Sequence, residues 1–365
     1  MKKLDIFIQY PPFFSDSPYY NYLTNYPPKT VNYLSIDKKR TDIIIQKNKL
    51  SIVRFLKDKI RLIIRKLNLP IINAYYTKSD KEFGLIHCAH CLSLNNDKKW
   101  VVDLECAWQI GIGNTSKNTM KKAINILERK NCKRIICWTN KTKDELIKIT
   151  NQNINEKIDV IYPAVPVNKK VNKNSKKINL VFVARYFKLK GGEYAINVIN
   201  KLTKKYDFVN GIIVTDNIEL AKSCISENNK IKFYSLMDRK ELFNKIYTKT
   251  DIFIYPGLAD SFGFLYLDVM SFGLPIITVD GYARKEIVED GKSGFVVGED
   301  KYYLDKEYDK SLEKQLIEKT EILIKDEKLR KKMGDYGYNL VKNGKFSIKQ
   351  RNKLMKKVYE DAIKN

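Results

Sequence analysis

The stretch that decides the fold is YPGLADSFGFLYLDVMSFGLPIITVD, which runs from Tyr255 to Asp280. It contains two carboxylates eight residues apart, Asp260 and Asp268, and almost every residue between them is apolar. A surface helix would scatter its charges over its exposed face, whereas these two acids stand alone in an apolar run. A strand-like segment, DIFIY, and a Pro-Gly turn precede them, so the order is strand, turn and helix.

The apolar run predicts a helix of about three turns over residues 262–272. Gly273 follows where a left-handed residue commonly ends a helix, and Pro275 prevents its continuation. Asp260 and Ser261 are residue types that favour the N-cap position. One interpretation is therefore purely structural, with the first acid capping the helix and the second facing solvent.

The alternative interpretation is a binding site for an elongated anion. The amides of Phe262 and Gly263 would lie at the helix N-terminus, where backbone N–H groups attract negative charge. Gly263 also has no side chain to keep a phosphate from the backbone. Eight residues of helix span roughly 12 Å. Asp260 and Asp268 could then accept hydrogen bonds from sugar hydroxyls on either side of a phosphate.

A second motif, VFVARYFKLKGGEYAINVINKL, has the order strand, basic loop and helix. Arg185 stands at the end of the strand, Lys190 follows five residues later, and Gly191 and Gly192 open the helix. Arginine binds phosphate bidentately and lysine acts as a mobile point charge, so the pair is suited to a diphosphate. Taken alone, the two residues are equally explained as solvated cations in a lysine-rich chain.

Together the two motifs resemble the donor-binding half of glycosyltransferase family 4, whose members are retaining transferases of the GT-B fold. The family pattern of an Arg, a Lys-Gly and a Glu-x7-Glu appears here as Arg185, Lys190-Gly191 and Asp260-Ser-Phe-Gly…Asp268-Val-Met. The segment YARKEIVEDGKSGFVV continues the match, which covers about 120 residues strongly. In the first half, FGLIHCAH and KIDVIYPAV resemble family strands more weakly.

The resemblance implies a role for each matching residue. Asp260 contacts hydroxyls of the donor sugar and Asp268 holds the ribose of the nucleotide. The diphosphate is bound by Arg185 and Lys190 and by the start of the helix, at Ser261, Phe262 and Gly263. The co-substrate is a UDP- or GDP-linked hexose, the acceptor is a glycan or a lipid-linked molecule, and no other cofactor and no metal ion is required. Departure and attack are expected on the same face of the sugar.

Two departures from the family pattern bear on the substrate. Both acids are Asp where the family usually has Glu, so each carboxylate lies about one methylene short. The donor sugar, or the depth at which it binds in the site, could therefore differ. The loop after the first strand is normally rich in glycine, yet here it contains none between Gln9 and Pro28. Its aromatic rings either stack on sugar faces of an acceptor or pack the loop.

The chain alternates apolar strands with helices twice over, which is the α/β pattern of parallel sheets covered by helices. The predicted strands of the first half are LDIFIQY, VNYLSI, FGLIHCA, WVVDLE, RIICWT and IDVIYP, and those of the second are INLVFVAR, GIIVTD, IKFYS and DIFIYP. The resemblance makes this a GT-B fold of two Rossmann-like domains facing a cleft. The predicted domains are residues 1–168 on the acceptor side and 169–345 on the donor side, with a helix at 346–365 returning toward the first.

A catalytic contact to the donor sugar is also expected from the first domain. Many family members have a His a few residues after a strand with the sequence V-V. Here that strand reads WVVDLECAW, which places the position at Cys106 beside Glu105. Either Glu105 or His90 takes over this contact, or Glu105 is a structural carboxylate. His87 and His90, with two neighbouring cysteines, superficially resemble a zinc cluster, but no second ligand pair follows at a suitable spacing, so no metal site is predicted.

The composition limits the partners and the compartment. The chain has 365 residues, 68 Lys and Arg against 42 acids and a net charge of +26, which favours anionic partners. The six cysteines lack paired spacing, and the first apolar stretch is short and interrupted, so a cytoplasmic protein without a signal peptide or spanning helix is expected.

The segment LSIVRFLKDKIRLIIRKLNL, at residues 50–69, predicts a helix with one apolar and one basic face. Such a helix either packs its apolar face into the domain core, which we favour, or lies on anionic lipid at the inner face of the membrane.

Other classes of protein fit less well. A basic RNA-binding protein should interleave aromatic residues with cations on one sheet face, and no such motif appears, so no nucleic-acid partner is expected. A nucleotide-sugar epimerase would share the cleft but usually lacks the Arg-x4-Lys-Gly motif. A phosphorylase would need a cofactor lysine that no motif indicates.

Overall fold

The computed structural model describes residues 3–11, 18–35, 59–60, 62–64, 66–67, 69–112, 116–170, 177–299 and 307–364. The chain folds as two compact units. One comprises residues 1–163 together with 348–365, and the other comprises residues 164–347. The division predicted from the sequence differs from these bounds by a few residues, at 168 and 345.

The first unit is built on a six-stranded parallel sheet. Its strands, with a short separate pair formed by β3 and β5, are β1 (Leu4–Gln9), β2 (Val31–Leu34), β3 (Ala74–Tyr75), β4 (Leu85–Ala89), β5 (Leu92–Ser93), β6 (Trp100–Leu104), β7 (Cys132–Cys137) and β8 (Ile158–Val160). The order across the sheet is β2-β1-β4-β6-β7-β8. All five residues of both β4 and β6 are buried, as expected of central parallel strands covered on both faces.

The second unit repeats this architecture. Its strands are β9 (Ile178–Ala184), β10 (Val209–Thr215), β11 (Ile231–Ser235), β12 (Ile252–Ile254), β13 (Ile276–Val279) and β14 (Gly294–Val297). They pair in parallel in the order β11-β10-β9-β12-β13-β14. The order reverses at β9, between β10 and β12, and ligands of open α/β sheets bind beyond the carboxyl ends of the strands at such a point. The α/β architecture with two parallel-sheet units is confirmed.

Helices connect the strands in both units. In chain order they are α1 (Pro18–Asn25), α2 (Lys117–Leu127), α3 (Asn140–Ile147), α4 (Gln152–Asn155), α5 (Gly192–Lys205), α6 (Ile218–Ser223), α7 (Arg239–Lys245), α8 (Phe264–Ser271), α9 (Arg284–Ile287), α10 (Lys310–Lys325), α11 (Glu327–Lys342) and α12 (Ile348–Lys364). The last helix packs against β4, β6 and β7 of the first unit. Its Arg351 is fully buried there and donates a hydrogen bond of 2.5 Å to Tyr26 O.

The predicted basic helix at residues 50–69 is only partly within the described residues, which include helical positions between 59 and 66. Ile64 is buried there, but Ile60, Ile63 and Leu67 are 54%, 52% and 63% exposed. The interpretation that we favoured, with the apolar face in the core, therefore fails at three of the four described apolar positions. No helix in the described part of the chain is long and apolar enough to cross a membrane.

Candidate active site

The motif with Arg185 and Lys190 lies where β9 ends. Arg185 is exposed, and its guanidinium lies 5.0 Å from the ring centre of Tyr186. Tyr186 has a φ of 67°, and the loop is fixed by Asp216, which follows the neighbouring strand β10. Asp216 accepts hydrogen bonds of 3.0 and 3.3 Å from the amides of Tyr186 and Phe187. The sequence analysis missed Asp216, although a carboxylate directly after a parallel strand is a usable signal.

Gly191 brings this loop close to the segment that contains Asp260 and Asp268. It is the N-cap of α5 with a φ of 73°, a conformation that only glycine adopts at little cost. A Cβ at this position would lie 2.6 Å from Cβ of Pro256. The amide of Gly257 donates a 3.0 Å hydrogen bond to Lys190 O. The two motifs, which lie about 70 residues apart in sequence, thus form one surface at the carboxyl edge of the second sheet.

Lys190 and Asp260 meet at the centre of this surface. Lys190 Nζ forms a close ion pair with Asp260 Oδ1 and donates a 3.2 Å hydrogen bond to Ala259 O. The second carboxylate oxygen of Asp260 accepts a 2.7 Å hydrogen bond from the Tyr255 hydroxyl. Burial, followed by the charge of Asp260, raises the pKa of Tyr255, so its hydroxyl remains a donor. Both charged side chains stay partly exposed, at 18% for Lys190 and 12% for Asp260, so a ligand can reach them.

The helix that follows begins later than the sequence predicts. It is α8, and its N-cap is Gly263 with a φ of 77°, so Asp260 and Ser261 do not cap it. The prediction of a start at residue 262 is wrong because Gly263 takes a left-handed conformation that a helix cannot include. A Cβ on Gly263 would lie 2.7 Å from the Tyr266 ring and 3.7 Å from Cγ of Asp260. Phe262 is buried. The predicted end is confirmed, since Gly273, which follows the C-cap residue Phe272, has a φ of 74°.

The second acid of the motif faces another part of the unit. Asp268 is 6% exposed and forms a close ion pair with Arg239, the first residue of α7. Burial raises the pKa of Asp268, and the attraction of Arg239 offsets only part of that shift. The structural interpretation of the sequence, with this acid facing solvent, is therefore wrong. The sequence analysis did not single out Arg239, whose guanidinium also lies 5.3 Å from the Phe243 ring.

Removing Arg239 should destabilise the second unit by about 3 kcal/mol, because the buried Asp268 would lose its cation. A carboxylate with a raised pKa in the folded state binds its proton more readily than in the unfolded chain. The deficit in Arg239→Met should therefore be largest at neutral pH and shrink as the pH falls through the raised pKa of Asp268. Urea unfolding at several pH values measures this.

The matched control is Lys245→Met on the same helix, because Lys245 is 66% exposed and pairs with Glu241 one turn away. That solvent-exposed pair should contribute far less to stability than the buried one. Equal losses in the two variants would contradict a buried ion pair at Asp268.

His90 belongs to the first unit, where it follows the carboxyl end of β4. Its φ is 53°, which is uncommon for a residue other than glycine and is a feature of functional sites. The ring packs at 4.7 Å against Trp138 and at 5.5 Å against Tyr20, measured between ring centres. The amide side chain of Asn73 donates a 2.5 Å hydrogen bond to His90 O, which holds this conformation. The residue is 7% exposed.

Asp103, which sequence analysis missed, joins both histidines. It is fully buried on β6, and its carboxylate accepts a close hydrogen bond from the Tyr20 hydroxyl. Its oxygens lie 3.1 Å from His87 Nε2 and 3.9 Å from His90 Nδ1. Burial raises the pKa of Asp103, but the attraction of His87 and the hydrogen bonds outweigh burial and hold the pKa below 3.8. The signal in the sequence was an Asp within an otherwise apolar parallel strand.

The other candidates of the first unit have ordinary local partners. Glu105 is partly exposed, its amide donates a 2.8 Å hydrogen bond to Gln109 Oε1, and its carbonyl accepts one of 2.5 Å from Thr142. Cys106 is buried, with 1% exposure. Of the histidine pair, His87 lies between Asp103 and the hydroxyl of Tyr359, 2.7 Å from its Nδ1. The described residues contain no cluster of three His, Cys, Asp or Glu arranged for a metal ion.

The aromatic residues that follow β1 were predicted either to stack on an acceptor or to pack the loop, and the structure answers this for two of them. Tyr19 and Tyr20 lie in α1 and are buried, and the Tyr19 ring packs 4.6 Å from that of Trp138. At these two positions the rings pack the unit and do not present a face to a ligand. Residues 12–17 of the same loop lie outside the described residues.

Two parallel-sheet units, the second with a basic loop and a glycine-started helix at the carboxyl edge of its sheet, have the fold of GT-B glycosyltransferases. Residues 166–340 match the family model "Glycosyl transferases group 1". The second unit therefore matches a glycosyl transferases group 1 domain over nearly its whole length.

Known proteins and solved structures resemble the chain over different lengths. An uncharacterized 41.2 kDa protein in the cps region of Klebsiella pneumoniae is 28% identical over 238 residues, covering 61% of this chain and 60% of that protein. The capsular polysaccharide biosynthesis glycosyltransferase CapM of Staphylococcus aureus is 30% identical over 101 residues, which is 28% of this chain and 23% of CapM. The chain thus matches less than two thirds of either relative.

The similarity to solved structures extends over nearly the whole chain. The crystal structure of HepE from Anabaena in complex with UDP and glucose superimposes with a TM-score of 0.60 at 13% identity, covering 98% of this chain and 99% of HepE. At this level of identity the match establishes the fold alone.

Proposed function

We propose that the chain is a retaining glycosyltransferase of family 4 that transfers a hexose from a UDP- or GDP-linked donor to a glycan or lipid-linked acceptor. The observation that carries this proposal is the ion pair between Lys190 and Asp260, which joins the two predicted motifs at one point. Lys190 is suited to bind phosphate and Asp260 to bind sugar hydroxyls. Because the two are in direct contact, they fit the point in a nucleotide-sugar donor where the diphosphate joins the sugar.

The same ion pair suggests how the donor binds. A diphosphate competes for Lys190, because two phosphate groups carry more negative charge than one carboxylate. Asp260 then accepts a hydrogen bond from a sugar hydroxyl while Tyr255 keeps its other oxygen in place. Arg185, exposed at the end of β9, supplies a second cation. In this proposal Asp268 and Arg239 bind the ribose or the base side of the nucleotide.

The chemical step needs the protein mainly to stabilise a leaving group. As the bond from the sugar to the diphosphate breaks, negative charge develops on the phosphate oxygen. Preorganised cations and backbone amides aimed at that charge lower the barrier. Lys190, Arg185 and the amides around Gly263 are of this kind, so the proposed reaction proceeds without a metal ion. His90 and Glu105 are the proposed first-unit contacts to the donor sugar.

The biological setting is proposed from the named relatives. One relative is a capsular polysaccharide biosynthesis glycosyltransferase and another is encoded in a cps region, so we propose a role in building a surface polysaccharide. The exposed Ile60, Ile63 and Leu67, within a strongly basic segment, support attachment to an anionic membrane surface. All six cysteines are free, which agrees with a cytoplasmic location.

The donor site is tested by thermal unfolding of the protein with UDP, GDP, ADP and their common sugar conjugates. At a ligand concentration about 100-fold above its Kd, the true donor should raise Tm on the order of 5 °C. The double variant Arg185→Ala with Lys190→Ala should lose this shift, because both cations that bind the diphosphate are gone.

Lys188→Ala is the matched control, since Lys188 lies in the same loop, is 67% exposed and pairs with Glu193 at 3.8 Å. It should keep the full ligand-induced shift. If none of the nucleotides changes the Tm of the wild-type protein, the proposed donor site is wrong, and the competing class of basic nucleic-acid-binding protein becomes the better explanation of the charge.

A further inference from the structure

The second unit buries an arginine that the donor motifs do not include. Arg284, at the start of α9, is 2% exposed. Among the described residues no carboxylate lies within ion-pair distance of it. Its guanidinium is held mainly by uncharged partners, two backbone carbonyls and two side-chain hydroxyls. Burial lowers the pKa of Arg284, but the interactions with Tyr266 and Asp260 outweigh burial and raise it. A buried charge needs such partners, and their places in the chain show what Arg284 holds in position.

The guanidinium of Arg284 is directed at the turn between β12 and Asp260. Nη1 donates a 3.0 Å hydrogen bond to Pro256 O, and Nη2 donates one of 2.7 Å to Gly257 O. Gly257 has a φ of 61°, and a Cβ there would lie 2.5 Å from Arg284 Nη1. The turn thus uses a glycine both for its left-handed backbone and for its contact with the guanidinium.

The peptide groups of Gly257 connect Arg284 to both members of the central ion pair. Gly257 O, which accepts from Arg284, also accepts a 3.2 Å hydrogen bond from the amide of Asp260. Gly257 N donates a 3.0 Å hydrogen bond to Lys190 O. A displacement of this one residue would therefore move Lys190 and Asp260 together.

A second route runs through side chains. Arg284 donates a close hydrogen bond to the Tyr266 hydroxyl, which lies 2.9 Å from Thr278 Oγ1. The Tyr266 ring packs edge-on against Tyr255, with 5.3 Å between ring centres. Tyr255 in turn donates to Asp260. The carboxylate is thus held from two directions by contacts that begin at the same buried guanidinium.

We infer that Arg284 is a positioning residue of the donor site, which fixes the Gly257 turn and through it sets Lys190 and Asp260 where the phosphates and the sugar bind. This inference rests on the proposed function of that site. Arg284 does not itself touch the donor. It acts on donor affinity and on transfer, because an error of about 1 Å in a binding constellation can reduce catalysis on the order of 100-fold.

The test compares Arg284→Met and Arg284→Lys with Arg330→Met. Arg330 is the matched control because its Nη1 also donates to backbone carbonyls, Leu323 O at 2.6 Å and Ile324 O at 3.4 Å, at the junction of α10 and α11. Kd for the nucleotide sugar that stabilises the wild-type protein is measured by calorimetry, and Tm is measured without ligand. Transfer is followed as release of the nucleoside diphosphate.

Arg284→Met should raise Kd about tenfold or more, since a hydrogen-bonded charge that sets two ligand contacts is lost. Arg284→Lys keeps the buried charge but cannot span both carbonyls, so its Kd should lie between that of the wild type and that of Arg284→Met. Arg330→Met should lower Tm without changing Kd. The lysine variant keeps the test decisive if Arg284→Met does not fold.

Each outcome bears on a different claim. If the wild type binds a donor and both Arg284 variants bind it with unchanged Kd and release rate, the inference is wrong while the proposed function stands. If Kd rises equally in Arg330→Met, the effect follows general stability and the inference is again wrong. If the wild-type protein binds no nucleotide sugar, the proposed function fails and the inference fails with it.

Discussion

Asp260→Asn should lower the rate of sugar transfer about 100-fold while leaving the affinity for the free nucleoside diphosphate unchanged or increased. The two effects separate because Asp260 has two partners. Asparagine is nearly isosteric and can still accept the hydrogen bond from Tyr255, so the loop keeps its shape. It loses the negative charge, so Lys190 no longer has its ion-pair partner and is available to the diphosphate. The sugar, however, loses a charged hydrogen-bond acceptor.

The measurement is kcat and KM for the nucleotide sugar, together with Kd for UDP or GDP by calorimetry. Asp207→Asn is the control, because Asp207 is fully exposed and pairs with Lys230 at 2.8 Å, and its kcat should equal that of the wild type. A full rate of transfer in Asp260→Asn would remove this acid from the proposed mechanism. A lower affinity for the nucleoside diphosphate would instead indicate that Asp260 organises the loop and does not compete with the ligand.

Asp260→Glu examines the departure from the family pattern. Glutamate places its carboxylate about one methylene further out, but here the carboxylate already contacts both Lys190 and Tyr255. We expect the longer side chain to keep the ion pair and lose the tyrosine hydrogen bond. The flexible side chain of Lys190 can adjust to the displaced carboxylate, whereas the buried ring of Tyr255 cannot. KM for the donor should then rise more than kcat falls, and equal changes in both would contradict this distinction.

The central residues of the candidate site could be found from sequence because they differ in type from the residues on either side of them. Asp260 stands in an apolar run, and Lys190 precedes two glycines after a clear strand. Their contact with each other could not be predicted, because it depends on β9 and β12 being neighbours in the sheet. Lys190 is one of 68 basic residues, and only the glycine spacing distinguishes it.

Other site residues were missed because their role depends on packing that local patterns do not contain. Arg239 and Arg284 are ordinary basic residues in sequence, and only the fold shows that one pairs with a buried acid and the other lies in the core. Asp103 interrupts an apolar strand, which a search for buried carboxylates would have found. The helix at 50–69 shows the converse limit, since periodicity identifies an apolar face but not what covers it.

The fold was predicted better than the site. All six strands of the first sheet and four of the second coincide with predicted segments, because buried parallel strands are continuous apolar runs. β13 and β14 were not predicted, since IITV and GFVV are only four residues long. The start of α8 was misplaced by two residues, because the positive φ of Gly263 depends on its close approach to Tyr266.

Asp103→Ala should destabilise the first unit by about 3–5 kcal/mol, which is the cost of removing one partner from a buried charged network. The carboxylate is fully buried and faces His87, His90 and the Tyr20 hydroxyl, so the hydroxyl would lose its acceptor and both histidines would lose the neighbouring negative charge. Urea unfolding measures the loss. Asp159→Asn on β8 is the control, because Asp159 is 39% exposed and lies 3.9 Å from Arg134, an arrangement worth roughly 1 kcal/mol or less.

The same carboxylate should determine how the first unit responds to acid. Its pKa in the folded state lies below the ordinary value of 3.8, so the folded state binds its proton less readily than the unfolded chain. The stability that it contributes is therefore fully present above pH 3.8 and is lost as the pH falls through the lowered pKa. Asp103→Asn should be less stable at neutral pH and should lose less stability than the wild type on acidification. Parallel pH profiles of unfolding for the two proteins would mean that the pKa of Asp103 is the same in the folded and the unfolded protein, which would contradict the proposed stabilisation of its charge.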